Sequence, residues 1–254
     1  MPTFRTSLSP TRADLTPSSV REALRRYSLE TGLRIVDAGD ADTPDDIDPS
    51  TWVAALDANV VIAIGGDNAA TVGVALGRWG ASIRTAGLVT VDAHHDLRDG
   101  VSNGSPVRQL LEAGLDGGRV TQVGIEPLAN SNAYRERAEA AHITVVPRSD
   151  LHGRSIEEVM REALDLAASA GGPVHVDLDV DVCDRSVAPA CPAGVPGGIT
   201  ASELRAAARA AGVHPSVTSV DITEVDASAD APDGRTVRLA ALCVLEIIAG
   251  VAQR

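Results

Sequence analysis

Four short segments of the chain carry acidic, amide and imidazole side chains at spacings suited to divalent cations. The segments are Gly65-Gly66-Asp67-Asn68, Asp92-Ala93-His94-His95-Asp96, Asp177-Leu178-Asp179-Val180-Asp181 and Asp221-Ile222-Thr223-Glu224. Oxygen ligands with one imidazole suit manganese better than structural zinc, and no cysteine lies in these segments. Two such ions about 3.5 to 4 Å apart can share and activate a water molecule. The residue types therefore predict a binuclear metal site that performs hydrolysis.

The four segments must be brought together by the fold, and each lies at the end of an apolar run of strand length. The runs predict strands at 33–36, 60–64, 86–91, 119–123, 143–147, 174–180 and 217–222. Helical periodicity falls between them, at 19–30, 68–77, 107–113, 132–141, 155–170, 201–211 and 235–252. This alternation is typical of an α/β three-layer α-β-α sandwich with a mainly parallel central sheet. In such a sheet the carboxyl ends of the strands lie along one edge.

Strand geometry indicates how the acids converge. Side chains alternate between the two faces of a strand, so two sets should each project to one side: Asp92, His94 and Asp96, and Asp177, Asp179 and Asp181. Carboxylates gathered at one buried place repel one another unless protons or cations neutralise them. A pair of divalent cations would do so. The alternative is a solvated cluster of acids that holds no metal.

Composition limits the classes of protein to which the chain can belong. A length of 254 residues with 44% hydrophobic content predicts a single domain over residues 1–254. A net charge of −13 opposes binding to nucleic acid or to anionic lipid. The three cysteines match no disulfide framework or zinc motif, and we expect the Pro- and Gly-rich stretch at 189–198 to form a shaped loop.

The sequence also bears on location. Residues 1–19 lack the apolar centre of a signal peptide, and no stretch reaches the roughly 18 apolar residues of a membrane span. These features predict a cytoplasmic protein without a membrane partner.

From about Ile62 onward, the order and spacing of the motifs resemble the ureohydrolase superfamily, which includes arginase, agmatinase and formimidoylglutamase. GGDN resembles the family's GGDH, and DAHHD resembles its DAHxD. Asp179-Val180-Asp181, followed by Ala188-Pro189 and Pro196-Gly197-Gly198, resembles the family's DxD with trailing AP and PGG. The resemblance implies an arginase-like fold and a small-molecule amidine substrate. It also implies a homo-oligomer, because similar enzymes form trimers or hexamers.

The resemblance also implies roles for particular residues. Two Mn²⁺ ions per subunit would be held by Asn68, Asp92, His94, Asp96, Asp179 and Asp181. Asp92 and Asp179 would bridge the two ions, and Asp96 would orient the metal-bridging hydroxide that attacks the substrate. Glu224 would pair with the planar cationic amidine group, a charge-assisted contact that fixes its orientation. A structural acid at a strand end is the alternative for Glu224.

Two departures point towards one subfamily. Asn68 stands where arginase and agmatinase have His, which puts the filling of that metal site in question. Asn103 stands where arginase-type enzymes place a proton-shuttling His, and it faces the substrate by position. DAHHDLR, SNGSPVRQL and IEPLANS instead resemble segments of formimidoylglutamases. The resemblance is thus closest to formimidoylglutamase, and it implies hydrolysis of N-formimino-L-glutamate to L-glutamate and formamide.

A dianionic substrate needs cations and donors. Arg98 is our candidate for clamping a substrate carboxylate, with Asn130 and Ser131 as neutral donors. The alternative for Arg98 is to neutralise Asp96 or Asp99. His95 lies between two predicted ligands and should point the other way, which predicts packing or a supporting role behind the ligands and not ligation.

Two other functions stay open. One is an agmatinase or guanidino-acid ureohydrolase that releases urea, because Glu224 suits a guanidinium equally well. The other is a non-catalytic protein that keeps the fold after losing a metal ligand, an interpretation motivated by Asn68.

Overall fold

The computed structural model describes residues 7–9, 11–41 and 49–254. At its centre lies a six-stranded sheet in which every strand pairing is parallel, in the order β1-β6-β5-β2-β3-β4. The strands are β1 (Val61–Ile64), β2 (Gly87–Val91), β3 (Val120–Ile125), β4 (Thr144–Pro147), β5 (Val174–Asp179) and β6 (Val217–Thr223). Because all six strands run the same way, the residues that follow them meet along one edge of the sheet.

Helices cover both faces of this sheet and confirm the predicted three-layer sandwich. They are α1 (Thr16–Leu24), α2 (Ser50–Ala54), α3 (Ala70–Trp79), α4 (Pro106–Ala113), α5 (Asn132–Ala140), α6 (Ile156–Ala167), α7 (Ala201–Val213) and α8 (Arg235–Val251). Helices α1, α6, α7 and α8 pack with Val89 and Val91 in one apolar core. Helices α3, α4 and α5 pack with Leu88 in a second core on the opposite face. The alternation of side chains along β2 thus supplies both cores.

Six of the seven predicted strands are confirmed, and the one predicted at 33–36 is wrong. Residues 33–36 form no strand, and Leu33, Ile35 and Val36 are exposed. An apolar run becomes a strand only where a neighbouring strand takes up its N–H and C=O groups, and here no strand does so.

The helical predictions hold with one marked shift. The helix expected at 19–30 is α1, which begins at Thr16 and ends at Leu24. Pro17 lies in its first turn, where the missing N–H and the fixed φ of proline cost nothing. The short helix α2 was not predicted.

Among the residues that the structure describes, no helix is both long and apolar enough to cross a bilayer.

The helix layer behind β5 and β6 depends on two glycines. A Cβ at Gly212 of α7 would lie 2.3 Å from the carbonyl oxygen of Ile247 in α8. A Cβ at Gly250 would lie 2.6 Å from the carbonyl oxygen of Arg209. The two helices therefore approach at backbone distance, which only glycine permits at these positions.

Gly212→Ala should destabilise the protein by about 1–3 kcal/mol, because the added methyl group forces α7 and α8 apart. Chemical denaturation of this variant beside Gly32→Ala measures the effect. Gly32 is exposed and no atom lies near its Cβ position, so its substitution should be close to neutral. Equal stability of the two variants would contradict the close approach.

Candidate metal and substrate site

Asp92, His94 and Asp181 converge at the carboxyl edge of the sheet. One potential ligand atom from each lies within 4.8 Å of the other two. His94 Nδ1 is 3.1 Å from Asp181 Oδ2 and 3.4 Å from Asp92 Oδ1. Asp92 Oδ2 and Asp181 Oδ1 are buried and receive no hydrogen bond from any residue that the structure describes. Buried carboxylate oxygens without a donor are costly, so this donor set fits a divalent cation.

The same local turn forms both halves of this cluster. Asp92 Oδ1 accepts a hydrogen bond of 2.7 Å from the backbone N–H of His94, two residues later. Asp179 Oδ1 accepts one of 2.8 Å from the backbone N–H of Asp181. Such turns are typical of aspartate. They end β2 and β5 and bring the second side chain of each motif beside the first.

Asp96 and Glu224 have left-handed backbone conformations. Their φ angles are +53° and +59°, and both side chains are buried. Residues other than glycine adopt this region at a cost, and such residues concentrate at functional sites. Among the described residues other than glycine, only these two acids and His142, which follows α5, have a positive φ.

Asn68 lies beside Asp96, as predicted, but it presents its amide nitrogen to the carboxylate. Its Nδ2 donates a hydrogen bond of 2.5 Å to Asp96 Oδ2. Its Oδ1 accepts from the hydroxyls of Thr71, at 2.7 Å, and Thr223, at 3.3 Å. In this arrangement Asn68 orients Asp96, and the amide would have to rotate to ligate a metal through oxygen.

Glu224 is held through one of its two carboxylate oxygens. Oε1 accepts hydrogen bonds from the backbone N–H of Asn68, at 2.8 Å, and from Asn103 Nδ2, at 2.9 Å. Within the described part of the chain, no group donates to Oε2. One oxygen thus fixes the side chain, and the other is available to a ligand.

Burial and mutual repulsion shift the titration of the cluster. Burial, with the nearby charge of Asp181, raises the pKa of Asp92 to about 6. Burial raises the pKa of Glu224 to about 7, although Asn103 opposes the shift. Burial and then Asp92 raise the pKa of Asp96 well above its usual value. Burial opposes the charged form of His94, but hydrogen bonds with Asp181 and Asp92 raise its pKa to about 12. The protein therefore favours added positive charge here, either protons or metal.

Arg98 has no carboxylate partner among the described residues. Asp99 forms an ion pair of 2.8 Å with Arg137, so the alternative in which Arg98 neutralises Asp99 is wrong. Nor is an Arg98–Asp96 pair formed. The Arg98 guanidinium lies 5.8 Å from the ring centroid of Tyr134 and is exposed. It stays available to a substrate carboxylate.

Asn130 has a structural task in the loop after β3. Its Nδ2 donates to the carbonyl oxygens of Ala93 and Glu126, both at 2.9 Å, and its Oδ1 accepts from the backbone N–H of His95 at 3.0 Å. In this arrangement it has no free N–H for a substrate. Ser131 immediately precedes α5 and makes no side-chain cap.

Gln122 was not among the predicted site residues, yet it holds His95, which lies in the segment 92–96. Its Oε1 lies 2.7 Å from His95 Nδ1, and its Nε2 donates to the His95 carbonyl at 2.9 Å. His95 therefore points away from the cluster into packing, as predicted. A buried glutamine inside the apolar strand β3 was the available signal.

Comparison with known proteins gives consistent matches. The model of the Arginase family matches residues 3–250. The formimidoylglutamase of Bacillus subtilis (strain 168) is 31% identical over 274 residues, which cover 99% of this chain and 85% of that protein. The formimidoylglutamase of Halalkalibacterium halodurans is 30% identical over 98% of this chain and 85% of its own length. The crystal structure of the Bacillus subtilis enzyme superposes with a TM-score of 0.89 at 28% identity, covering 99% of this chain and 85% of that chain.

The raised carboxyl pKa values predict how the metal-free protein responds to pH. Between the usual pKa values of Asp92 and Glu224 and their raised values of about 6 and about 7, the folded state binds more protons than the unfolded state. The free energy of unfolding therefore falls as pH rises through this window. Above the usual pKa of histidine, the raised pKa of His94 likewise makes the free energy of unfolding fall as pH rises.

Thermal melts of the chelator-treated protein from about pH 5 to about pH 8 should thus show a falling melting temperature. Saturating Mn²⁺ should raise it more at the upper pH, because the metal replaces protons. A metal-free melting temperature that rises over this interval would contradict the assignment.

Proposed function

The chain belongs to the arginase family, and we propose that it hydrolyses a C–N bond of a linear amidine, N-formimino-L-glutamate, to L-glutamate and formamide. One observation carries the proposal. Asp92, His94 and Asp181 converge with unpaired buried carboxylate oxygens, in a chain about 30% identical over nearly its whole length to formimidoylglutamases. That cluster lies beside Glu224, one of whose carboxylate oxygens has no donor among the residues that the structure describes.

The metal is proposed to be Mn²⁺, two ions per subunit, since the donors are mostly carboxylate oxygen with one imidazole. Asp92, His94 and Asp181 would be joined by Asp179 and Asp96, the other two buried carboxylates of the cluster. Asn68 would complete the set only after its amide turns. When bound, such ions activate a water molecule and stabilise developing negative charge.

Glu224 is proposed to bind the substrate's planar cation. A carboxylate with one oxygen fixed by Asn68 and Asn103 offers its other oxygen, Oε2, in a constant direction. A charge-assisted hydrogen bond from the amidinium to this oxygen would orient the reacting carbon for attack.

Asp96 is proposed to move the proton. Its carboxylate, which Asn68 orients through Oδ2, would take a proton from the attacking water and return it to the leaving nitrogen.

The substrate's own carboxylates call for cations at the rim of the site. Arg98 is exposed and has no carboxylate partner in the described structure, so we assign it to one of them. Its planar guanidinium matches a carboxylate in two parallel hydrogen bonds. Asn130 supports the loop beneath the substrate instead of donating to it.

A side-by-side assay tests the function. The Mn²⁺-loaded chain is offered N-formimino-L-glutamate, arginine, agmatine and guanidinobutyrate, with glutamate and urea measured and metal quantified. Glutamate from the first substrate without urea from the others is the expected result. Urea from a guanidino compound would move the activity to a ureohydrolase of different specificity. Inactivity with no bound metal would support the non-catalytic alternative.

Asp181→Ala should abolish turnover and reduce bound metal, because it removes a carboxylate from the central cluster. Asp165→Ala is the matched control, since Asp165 is an exposed acid on α6. Steady-state rates and metal content of the two purified variants give the comparison. Full activity in Asp181→Ala would contradict the assignment of Asp181 as a metal ligand.

Asn68→His should retain Mn²⁺ more tightly than the parent chain, because an imidazole nitrogen is a better ligand than an amide. Metal remaining after dialysis against a weak chelator is the measurement, with Asn68→Ala as the comparison. Weaker retention by Asn68→His would indicate that position 68 serves only to orient Asp96.

A further inference from the structure

Residues 7–9 and 11–16, which we term the N-terminal strap, lie against the substrate side of the site. The backbone N–H of Leu8 donates to Asn103 Oδ1 at 3.0 Å. The backbone N–H of Arg12 donates to Asp226 Oδ2 at 3.0 Å. The hydroxyl of Thr16 donates to the carbonyl oxygen of Val225 at 2.5 Å and accepts from the backbone N–H of Ala227 at 3.3 Å. The strap is thus fastened to the two segments that supply Asn103 and Glu224.

Asn103 links the strap to Glu224. Its Oδ1 accepts from Leu8, and its Nδ2 donates to Glu224 Oε1. An amide bonded at both ends has one orientation, because a turn of 180° breaks both hydrogen bonds. Without the N–H of Leu8, the Asn103 side chain is free to turn its oxygen towards the Glu224 carboxylate. Two acceptors would then face each other, and Glu224 would lose its direction.

The strap also lies beside Gly104, on the side that Arg98 covers. A Cβ on Gly104 would lie 2.6 Å from Arg98 Cδ and 3.2 Å from Leu8 Cδ1, so both side chains lie over the same side of Gly104. The backbone N–H of Arg98 donates to the Gly104 carbonyl oxygen at 3.0 Å. Leu8 is 55% exposed, which places it at the surface of the site and not in the core. Leu8 therefore donates to Asn103 through its backbone, and its side chain lies beside Gly104.

We propose that the N-terminal strap positions the substrate-binding pair Asn103 and Glu224, with the backbone N–H of Leu8 as the contact that fixes the amide of Asn103. The inference rests on the proposed function in that Glu224 receives the substrate's planar cation. Leu8 is a positioning residue, since it acts on the substrate only through Asn103. The strap thereby sets the affinity for substrate without supplying a group to the reaction.

The central comparison is Leu8→Pro against Leu8→Ala. Proline has no N–H, whereas alanine keeps it. Leu8→Pro should raise the KM for N-formimino-L-glutamate about fivefold, the effect of one hydrogen bond, with a smaller change in kcat. Leu8→Ala should keep the KM within about twofold of the parent chain. Ile35→Pro is the control for a proline in an exposed apolar stretch, and its kinetics should not change.

A double-mutant cycle separates positioning from general stability. If Leu8 acts through Asn103, Asn103→Ala alone should lower kcat/KM at least as much as Leu8→Pro, and adding Leu8→Pro to it should cause no further loss. Losses that simply add would overturn the proposal, as would an unchanged KM in Leu8→Pro.

Truncation repeats the kinetic test, and hydrogen exchange supplies a readout that needs no substrate. A chain that starts at Thr11 should reproduce the raised KM of Leu8→Pro, because it lacks the N–H of Leu8. Deuterium uptake in peptides covering 101–106 and 224–228 should rise in Leu8→Pro and not in Leu8→Ala. If the full chain hydrolyses no amidine, the proposed function fails, and hydrogen exchange alone then tests whether the strap positions Asn103 and Glu224. Uptake that is the same in both variants would then refute it.

Discussion

At the carboxyl edge of the sheet, Asp92, Asp179 and Asp181 lie close together and out of contact with water, and their mutual repulsion constrains everything around them. Backbone N–H groups of the two aspartate turns satisfy one oxygen of Asp92 and one of Asp179. His94 does not satisfy the remaining carboxylate oxygens, because Asp92 Oδ2 and Asp181 Oδ1 have no hydrogen-bond donor among the described residues. The fold therefore holds a concentration of negative charge whose stability depends on a bound proton or cation.

Buried polar side chains extend from the site into the sheet, towards the amino ends of its strands. Asp177 lies in register with Thr90 on one side and with Asp221 on the other, and all three are fully or almost fully buried. One step lower, His175 contacts Ser219 at 2.8 Å and Asp221 at 3.3 Å. Burial and then the charge of Asp221 raise the pKa of Asp177 well above its usual value. Strands β5 and β6 thus bring polar rows into the interior, and the apolar packing of α7 and α8 on their other face must offset that cost.

Local patterns were sufficient to predict what depends on local structure. The apolar runs located six strands, and parallel strands with acids at their ends sufficed to bring Asp92, His94 and Asp181 together. The sequence did not indicate which distant residues form ion pairs or hydrogen bonds with one another. Arg137, not Arg98, pairs with Asp99, and Asn130 serves the loop around Ala93.

The run at 33–36 has strand composition without a partner, and the strap carries no motif. Its contacts with Asn103 and Asp226 join residues 95 and 214 positions apart. Spacing along a sequence says nothing about such contacts, because they arise only after the sheet and its helices have assembled.

The two residues that differ from the arginase pattern, Asn68 and Asn103, both contact one atom of Glu224. Asn68 and Asn103 both donate to Glu224 Oε1, the first through its backbone and the second through its amide. The backbone contact would survive any residue at position 68 that has an N–H, so Asn103 is the side chain that distinguishes this arrangement. A neutral amide donates there at every pH and adds no charge beside the carboxylate that we propose receives a cation. The substitution at 103 therefore bears on how substrate is held, and it leaves the cluster of Asp92, His94 and Asp181 complete.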